Sequence, residues 1–258
     1  MICNFSNIAF FIFDLPVRWY SLAYIFGIII AFKLSVFLSK RLKNEISVGV
    51  LDDFVGVAIG GIILGGRLGH VLFYDSSYYL KFPMEILKIW KGGMSFYGGF
   101  IGVIVAAYLF CKKHRIIFLE FMDLWSVSVP IGIFFGRIAN FINAELLGKE
   151  SDVPWNVVFS DGVHRHPSQL YEAFLEGILL FLAMLIAFKA EYHRRRGKLS
   201  GIFCAGYGMM RFLAEFFREP DSQLSYTLLC SSGLNLNQYM STIMAITGVI
   251  LIVKSRKS

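Results

Sequence analysis

Apolar residues in this chain run in long stretches, separated by short connections rich in charge, glycine or proline. Seven stretches stand out, at about 18–38, 51–73, 94–111, 116–142, 168–188, 201–217 and 237–253. Many of them approach or exceed the roughly 20 residues that a helix needs to cross hydrocarbon. Hydrocarbon offers backbone N–H and C=O groups no outside partner, so each stretch is predicted helical. The expected fold is all-α: a polytopic membrane helical bundle of about seven transmembrane helices. It forms a single domain over 1–258, with small external loops at about 74–93, 143–167 and 218–236. Gly60-Gly61 and Gly65-Gly66 lie inside one stretch and would let helices approach closely.

Composition strengthens this picture. Hydrophobic residues make up 56% of the 258 positions and charged ones only 17%, where a soluble domain carries about 25% charged residues. The net charge of +7 would suit a nucleic-acid binder, but its distribution does not. Basic residues gather in alternate connections: Lys40-Arg41-Lys43, Lys112-Lys113-Arg115, Arg194-Arg195-Arg196-Lys198 and Lys254-Arg256-Lys257. By the positive-inside rule the C-terminus is cytoplasmic, and an odd number of spans puts the N-terminus outside. The start of the chain lacks the basic segment of a signal peptide, and Asp14-Leu15-Pro16 interrupts its apolar run. Met1–Phe13 is therefore expected to lie in the membrane interface as an arm. Cys3, Cys111, Cys204 and Cys230 form no C-x-x-C pair, so neither a zinc site nor a disulfide framework follows.

Three arginines, Arg67, Arg137 and Arg211, fall inside apolar stretches, as do Asp123, Asn140, Asn143, Glu172 and Glu215. An arginine at the centre of a span costs on the order of 3 kcal/mol on the insertion scale. Each must therefore sit near an interface, pair with a carboxylate or line a watery cavity. Helical spacing places Tyr207, Arg211, Glu215 and Arg218 on one side of their stretch. Arg137, Asn140 and Glu145 project toward the outer third of the membrane. Two guanidinium groups at similar depth can hold one phosphate by charge-assisted, bidentate hydrogen bonds. That suits an enzyme gripping a phospholipid headgroup, and equally a nonenzymatic anion or lipid transporter. His70-Val-Leu-Phe-Tyr-Asp75 adds a further alternative, the H-x4-D spacing of glycerolipid acyltransferases.

Several longer motifs separate these readings. They are Gly136-Arg-Ile-Ala-Asn-Phe-Ile-Asn-Ala-Glu-Leu-Leu-Gly148, His166-Pro-Ser-Gln-Leu-Tyr-Glu172, Gly92-Gly-Met-Ser-Phe-Tyr-Gly-Gly99, Arg18-Trp-Tyr20, and the run from Tyr207 through Glu215 to Asp221. In this order the chain resembles the bacterial prolipoprotein diacylglyceryl transferase family over nearly its whole length. The resemblance implies a multi-pass enzyme of the bacterial cytoplasmic (inner) membrane, working at the first step of lipoprotein maturation. Its reaction moves the diacylglyceryl group of phosphatidylglycerol to the lipobox cysteine thiol of a preprolipoprotein signal peptide. A thioether forms and glycerol phosphate leaves. Phosphatidylglycerol, lipobox-bearing signal peptides and membrane lipids are the implied partners, and no metal, organic cofactor or nucleic acid is implied.

Family pattern and spacing together suggest roles. Arg137 and Arg211 would hold the lipid phosphate and its developing charge by preorganised electrostatics. Asn140 and Glu145 would orient the headgroup or Arg137, Tyr20 and Tyr207 would add hydroxyls, and Glu215 would hold Arg211. His166 reads either as an entry-site histidine or as an interface residue that orders its loop. Glu172 reads as structural, through an arginine, and Arg218 as lying at the site's margin. One position departs from the family, which usually carries histidine, its proposed general base, where this chain has Tyr97. An ordinary tyrosine with a pKa near 10 is a poor base at neutral pH. Tyr97 is expected to position lipid through its hydroxyl, with His70 as a possible substitute base.

Overall fold

A computed structural model describes residues 8–42, 46–159, 161–219 and 234–257, leaving aside the side chains of Lys91, Arg256 and Lys257. Cys3, Cys230, residues 1–7 of the expected arm and 220–233 of the last external connection lie outside the described residues. The chain divides into two compact units, Met1–Leu38 with Asp123–Ser258, and Ser39–Met122.

Among the described residues there are eight helices: α1 (Trp19–Ser39), α2 (Val48–Phe73), α3 (Ser76–Lys81), α4 (Phe96–His114), α5 (Phe118–Ile142), α6 (Ser168–Lys189), α7 (Lys198–Ala214) and α8 (Leu236–Lys254). Six of them, α1, α2, α4, α5, α6 and α8, are long and apolar enough to cross a membrane. These match six of the predicted stretches within a few residues. The seventh, expected at 201–217, is α7, whose 17 residues begin earlier and stop at Ala214. Glu215 caps it, and the chain then turns so that Arg218 bridges to Gly148 in antiparallel fashion. Arg218 is therefore not on the helix that carries Tyr207 and Arg211, because its backbone pairs with another segment.

The fold is mostly helical rather than purely so. Antiparallel pairs join β1 (Ile8–Ile12) to β2 (Leu15–Arg18), β3 (Val157–Val158) to β4 (His164–Arg165), and β5 (Arg195–Arg196) to β6 (Arg256–Lys257). The described part of the expected arm is thus one strand of a hairpin. Its tip exposes Phe11, Phe13 and Leu15.

In the unit of Ser39–Met122, α2 and α4 pack through glycine. A Cβ added at Gly61 would stand 2.8 Å from the Ala106 Cβ, and one at Gly65 would stand 2.7 Å from the Gly102 Cα. One at Gly69 would stand 2.7 Å from the Gly98 Cα. Such close backbone approach is available only without side chains, and it compensates for the weak hydrophobic drive between helices in lipid. Phe54 fills one end of this unit, its ring 5.4 Å from Phe110 and 4.7 Å from Phe121.

Arg67 is buried and is satisfied by backbone carbonyls. Its guanidinium donates to the carbonyls of Glu85, Ile86, Lys88, Gly92 and Gly93 at 2.5–3.3 Å and lies 5.1 Å from the Tyr79 ring centroid. An always-charged fork with five donors suits a cluster of backbone carbonyls. Arg67 thereby fixes the 85–93 segment that leads into α4.

In the other unit, Gly27 of α1 abuts Gly132 of α5, and the hydroxyls of Ser35 and Ser128 meet at 2.8 Å. Helices α7 and α8 share a second small-residue seam, where a Cβ on Gly201 would lie 2.8 Å from the Gly248 carbonyl oxygen. Buried Asp123 caps the start of α7 from α5. Its carboxylate accepts from the N–H groups of Gly197 and Ser200 and from the Ser200 hydroxyl, each at 2.7 Å. A carboxylate at a helix N-terminus satisfies orphan N–H donors and complements the helix dipole. The consequence for function is rigidity, since Asp123 ties α7, which carries Arg211, to α5, which carries Arg137.

Candidate active site

Helices α5, α6 and α7 supply the buried charged residues of the candidate site. Arg137 lies near the C-terminal end of α5 and Arg211 near that of α7, while Glu172 and Glu176 lie near the start of α6. Helix C-termini favour cations, and Arg211 falls in the last turn of α7. Helix α6 contains a π-helical stretch, Ala173–Leu179, whose Gly177 comes so close to α5 that an added Cβ would lie 2.7 Å from the Phe134 Cβ. Glutamate in the interior of this helix is thus held against both arginine-bearing neighbours.

The two arginines meet across these two carboxylates. Arg137 donates from Nε and Nη2 to Glu176 Oε2 at 3.2 and 2.9 Å, and its Nη1 lies 3.1 Å from Glu172 Oε2. Arg211 donates from Nη1 to Glu172 Oε1, with Glu176 Oε1 at 3.5 Å, and from Nη2 to Glu215 Oε2 at 2.8 Å. Glu215 Oε1 accepts from Asn235 and Asn237 at 3.1 and 3.0 Å, and Asn235 also caps α8 in a capping box with Gln238. Helices α5, α6, α7 and α8 are therefore joined by one polar network. Glu172 and Glu176 are both 0% exposed, and such groups persist inside apolar surroundings only when paired. Tyr207 is buried one turn before Arg211, within electrostatic range of both arginines.

A second group lies just beyond the end of α5. Asn140 and Asn143 donate to the Glu145 carboxylate at 3.2 and 3.4 Å. Glu145 itself is exposed, and its neighbours Ala144 and Leu146 have φ of 53° and 56°. A non-glycine residue with such a backbone is held there by its surroundings. Here the Gln169 amide donates to the Glu145 carbonyl at 2.6 Å and the Ser168 hydroxyl to the Leu146 carbonyl at 3.2 Å. The motif that begins at His166 thus clamps the end of the motif that begins at Gly136. In α1 the Tyr24 hydroxyl donates to Tyr20 at 3.2 Å and lies within electrostatic range of Arg137 and Glu145.

The connection 143–167, expected as a loop, pairs its own strands and also packs on 217–219. Lys149 N–H donates to the Phe217 carbonyl at 2.9 Å, and Glu219 N–H to the Leu147 carbonyl at 3.0 Å. Gly148 lies so close to this layer that an added Cβ would stand 3.0 Å from the His166 Cβ. His166 Nδ1 is 3.2 Å from the Tyr171 hydroxyl, which accepts from the Trp155 indole at 2.7 Å, and its ring packs 5.3 Å from Phe217. These contacts tie down the layer. Arg218, buried, lies within electrostatic range of Glu172. Arg165 bridges Asp161 at 2.8 Å, Glu219 at 2.6 Å and the Gly148 carbonyl at 3.0 Å. The Val163 N–H and then the Arg165 guanidinium hold the Asp161 carboxyl below the usual carboxylate range.

Tyr97 and His70 belong to the other unit. Tyr97 lies in the first turn of α4, which Ser95 caps by accepting from the Gly98 N–H at 3.2 Å. His70 projects from α2 against Gly93, whose added Cβ would lie 2.7 Å from its ring, and it stacks on Tyr74 at 5.3 Å. Of the residues singled out in the sequence, Arg137, Arg211, Glu172 and Glu215 share one network, with Tyr207 beside it. Asn140 and Glu145 form the adjoining pair.

Glu176, Tyr24, Asn235 and Asn237 were not singled out. The clues were present for the first two, since Glu172 and Glu176, like Tyr20 and Tyr24, are four residues apart in apolar helices. Asn235 and Asn237 lie in a polar connection and reach Glu215 only through the packing of α8.

Along nearly its whole length the chain is similar to proteins of a known family. The family model described as prolipoprotein diacylglyceryl transferase matches residues 7–254. The chain is 46% identical over 255 residues to the phosphatidylglycerol–prolipoprotein diacylglyceryl transferase of Azospirillum brasilense, covering 97% of this chain and 94% of that one. It is 45% identical to the enzyme of that name from Ehrlichia ruminantium strain Welgevonden, covering 99% and 98% of the two chains. Identity to that from Rickettsia akari is 44%, covering 98% and 97%. With agreement of this extent from end to end, the chain belongs to the prolipoprotein diacylglyceryl transferase family.

Proposed function

We propose that this protein transfers the diacylglyceryl group of phosphatidylglycerol to the lipobox cysteine of preprolipoproteins, with Arg137 and Arg211 gripping the lipid phosphate. The observation that supports this assignment of the arginines is their meeting across Glu172 and Glu176, from helices α5 and α7. The thiol sulfur displaces glycerol phosphate at the diacylglyceryl carbon. A C–S bond forms, the C–O bond breaks with its electron pair leaving on the phosphate oxygen, and the proton of the broken S–H bond passes to the released glycerol phosphate. Its negative charge needs stabilisation at the moment of bond cleavage, which fixed guanidinium groups in a dry site supply without reorganisation. Asn140 and Glu145, with Tyr20 and Tyr207, orient the headgroup, Glu215 holds Arg211, and Arg218 and His166 support the site's margin. No metal or organic cofactor enters this chemistry.

The arginine ends of α5 and α7 lie away from Lys112-Lys113-Arg115, which precedes α5, and from Arg194-Arg195-Arg196, which precedes α7. By the positive-inside rule those basic segments are cytoplasmic, which puts the arginines toward the outer leaflet. The C-terminus is then cytoplasmic, the N-terminus outside, α7 completes the seven spans, and the cell's inner membrane is the location. Full-length similarity favours this reading over an acyltransferase built on His70 and Asp75 and over a transporter.

The test is purified protein with phosphatidylglycerol and a lipobox peptide, read by mass spectrometry for diacylglyceryl-cysteine and released glycerol phosphate. No such product would sink the proposal, and label incorporated from acyl-CoA alone would favour the acyltransferase. In the same assay, Tyr97→Phe is expected to lower transfer only a few-fold through weaker lipid binding, on the order of one lost hydrogen bond. A phenol acting as an essential base would instead make Tyr97→Phe inactive, with Tyr97→His restoring activity.

A further inference from the structure

The arginines that are to hold the lipid phosphate are already occupied. Arg137 spends Nε, Nη1 and Nη2 on Glu176 and Glu172, and Arg211 spends both terminal nitrogens on Glu172 and Glu215. Counted with all three carboxylates ionised, the six groups Arg137, Arg211, Arg218, Glu172, Glu176 and Glu215 balance three positive against three negative charges, Arg218 lying in electrostatic range of Glu172. A phosphodiester brings one more negative charge into this network. An uncompensated charge in apolar surroundings is strongly disfavoured, so a carboxylate must either leave or be neutralised. Neither Glu172 nor Glu176 has any exposed surface through which to reach solvent. Neutralisation by a proton is the remaining route.

We propose, resting on the phosphate-binding role of Arg137 and Arg211, that binding of phosphatidylglycerol is coupled to uptake of one proton by Glu176. Three observations choose Glu176 over its neighbours. Glu172 faces three arginines, Arg137 and Arg211 in direct contact and Arg218 at longer range. Glu215 holds Arg211 and also accepts from two asparagine amides. Glu176 is held mainly by Arg137; among the described residues Glu172 Oε2 and Glu176 Oε1 both lack a hydrogen-bond partner, but the former lies 3.1 Å from Arg137 Nη1 whereas the nearest cation to the latter is Arg211 Nη1 at 3.5 Å.

Lipid phosphate that draws Arg137 away leaves Glu176 with the weakest compensation in the network. A proton on Oε1 then removes its charge and supplies a donor aimed at a phosphate oxygen. The groups facing Glu176 are Glu172 on its own helix, Arg137 from α5, and Tyr207 and Arg211 from α7; Glu215 pairs with Arg211, and Arg218 is in electrostatic range of Glu172. None of these takes the proton as readily. The arginines stay charged, a tyrosine is already protonated at neutral pH, and the other two carboxylates keep close donors.

Calorimetric titration of the purified full-length protein with phosphatidylglycerol, in buffers of different ionisation enthalpy, counts the protons directly. About one proton taken up per lipid at neutral pH is expected for the native protein, and none for Glu176→Gln. Where the free carboxylate is ionised and the bound one protonated, affinity falls about tenfold per pH unit as pH rises. Dependence on pH is lost in Glu176→Gln. Diacylglycerol, which lacks the phosphate, should bind without proton uptake. Native binding with no proton uptake, unchanged uptake in Glu176→Gln, or no lipid binding at all overturns the coupling. If Glu176→Gln does not fold, the pH series on the native protein decides alone, and a flat series overturns it. Peptide transfer measured on the same preparation separates the two proposals. Transfer without proton uptake sinks only the coupling, and uptake without transfer sinks only the transferase assignment.

Discussion

Arg137→Gln is expected to lose diacylglyceryl transfer altogether and to yield markedly less folded protein in the membrane. Two different causes act, and they can be separated. Removing the guanidinium strips Glu176 of its closest cation and Glu172 of one of its two direct partners. Breaking a buried pair in this way costs about 3–5 kcal/mol, because it leaves an uncompensated charge, and that is a large share of a typical domain's stability. The charge-balanced double variant Arg137→Gln/Glu176→Gln removes both members of the pair and should recover most of the folded yield. Transfer should not return, since no guanidinium remains on α5 to take the phosphate. Folded yield by size-exclusion chromatography and product by mass spectrometry check the two effects independently. A double variant that turns over like the native enzyme would remove Arg137 from the mechanism.

The second large effect changes no charged group. Gly65→Ala is expected to destabilise the unit formed by α2 and α4, whereas Gly60→Ala, five residues earlier on the same helix, is not. The new methyl at position 65 would meet the Gly102 backbone at 2.7 Å, and backbone cannot give way as a flexible side chain does. Overpacking of this kind costs about 1–3 kcal/mol, and separation of two helices that rely on close contact puts it at the upper end. At Gly60 an added methyl finds nothing within 4 Å. There the better helix propensity of alanine acts alone, at about 1 kcal/mol in its favour. Thermal unfolding of the two variants in detergent should show a fall in Tm for the first and no loss for the second. Equal behaviour would contradict the glycine seam.

Much of the fold was legible because its determinant is local. Hydrophobic length fixes where a helix can cross, and six of the predicted stretches appear as helices of spanning length. The exception is instructive. The stretch at 201–217 reads as one helix by hydropathy, but Glu215 ends it and Arg218 pairs with Gly148 instead. A backbone partner 70 residues away has no local signal. The same limit explains Arg67, whose particular partners, the carbonyls of the 85–93 segment, no local pattern announces.

By itself the sequence determined that this is a membrane protein, where its helices run, which family it belongs to, and that Arg137 and Arg211 require partners inside an apolar environment. Those conclusions rest on side-chain chemistry and spacing along a single chain, which sequence displays directly. Only the tertiary structure decided which partners the arginines take. Glu176 becomes the principal one for Arg137 because a π-helical stretch of α6 lies against α5 at Gly177. Such a choice depends on how neighbouring helices are rotated and how closely they approach, and those quantities are set by packing between segments remote in sequence.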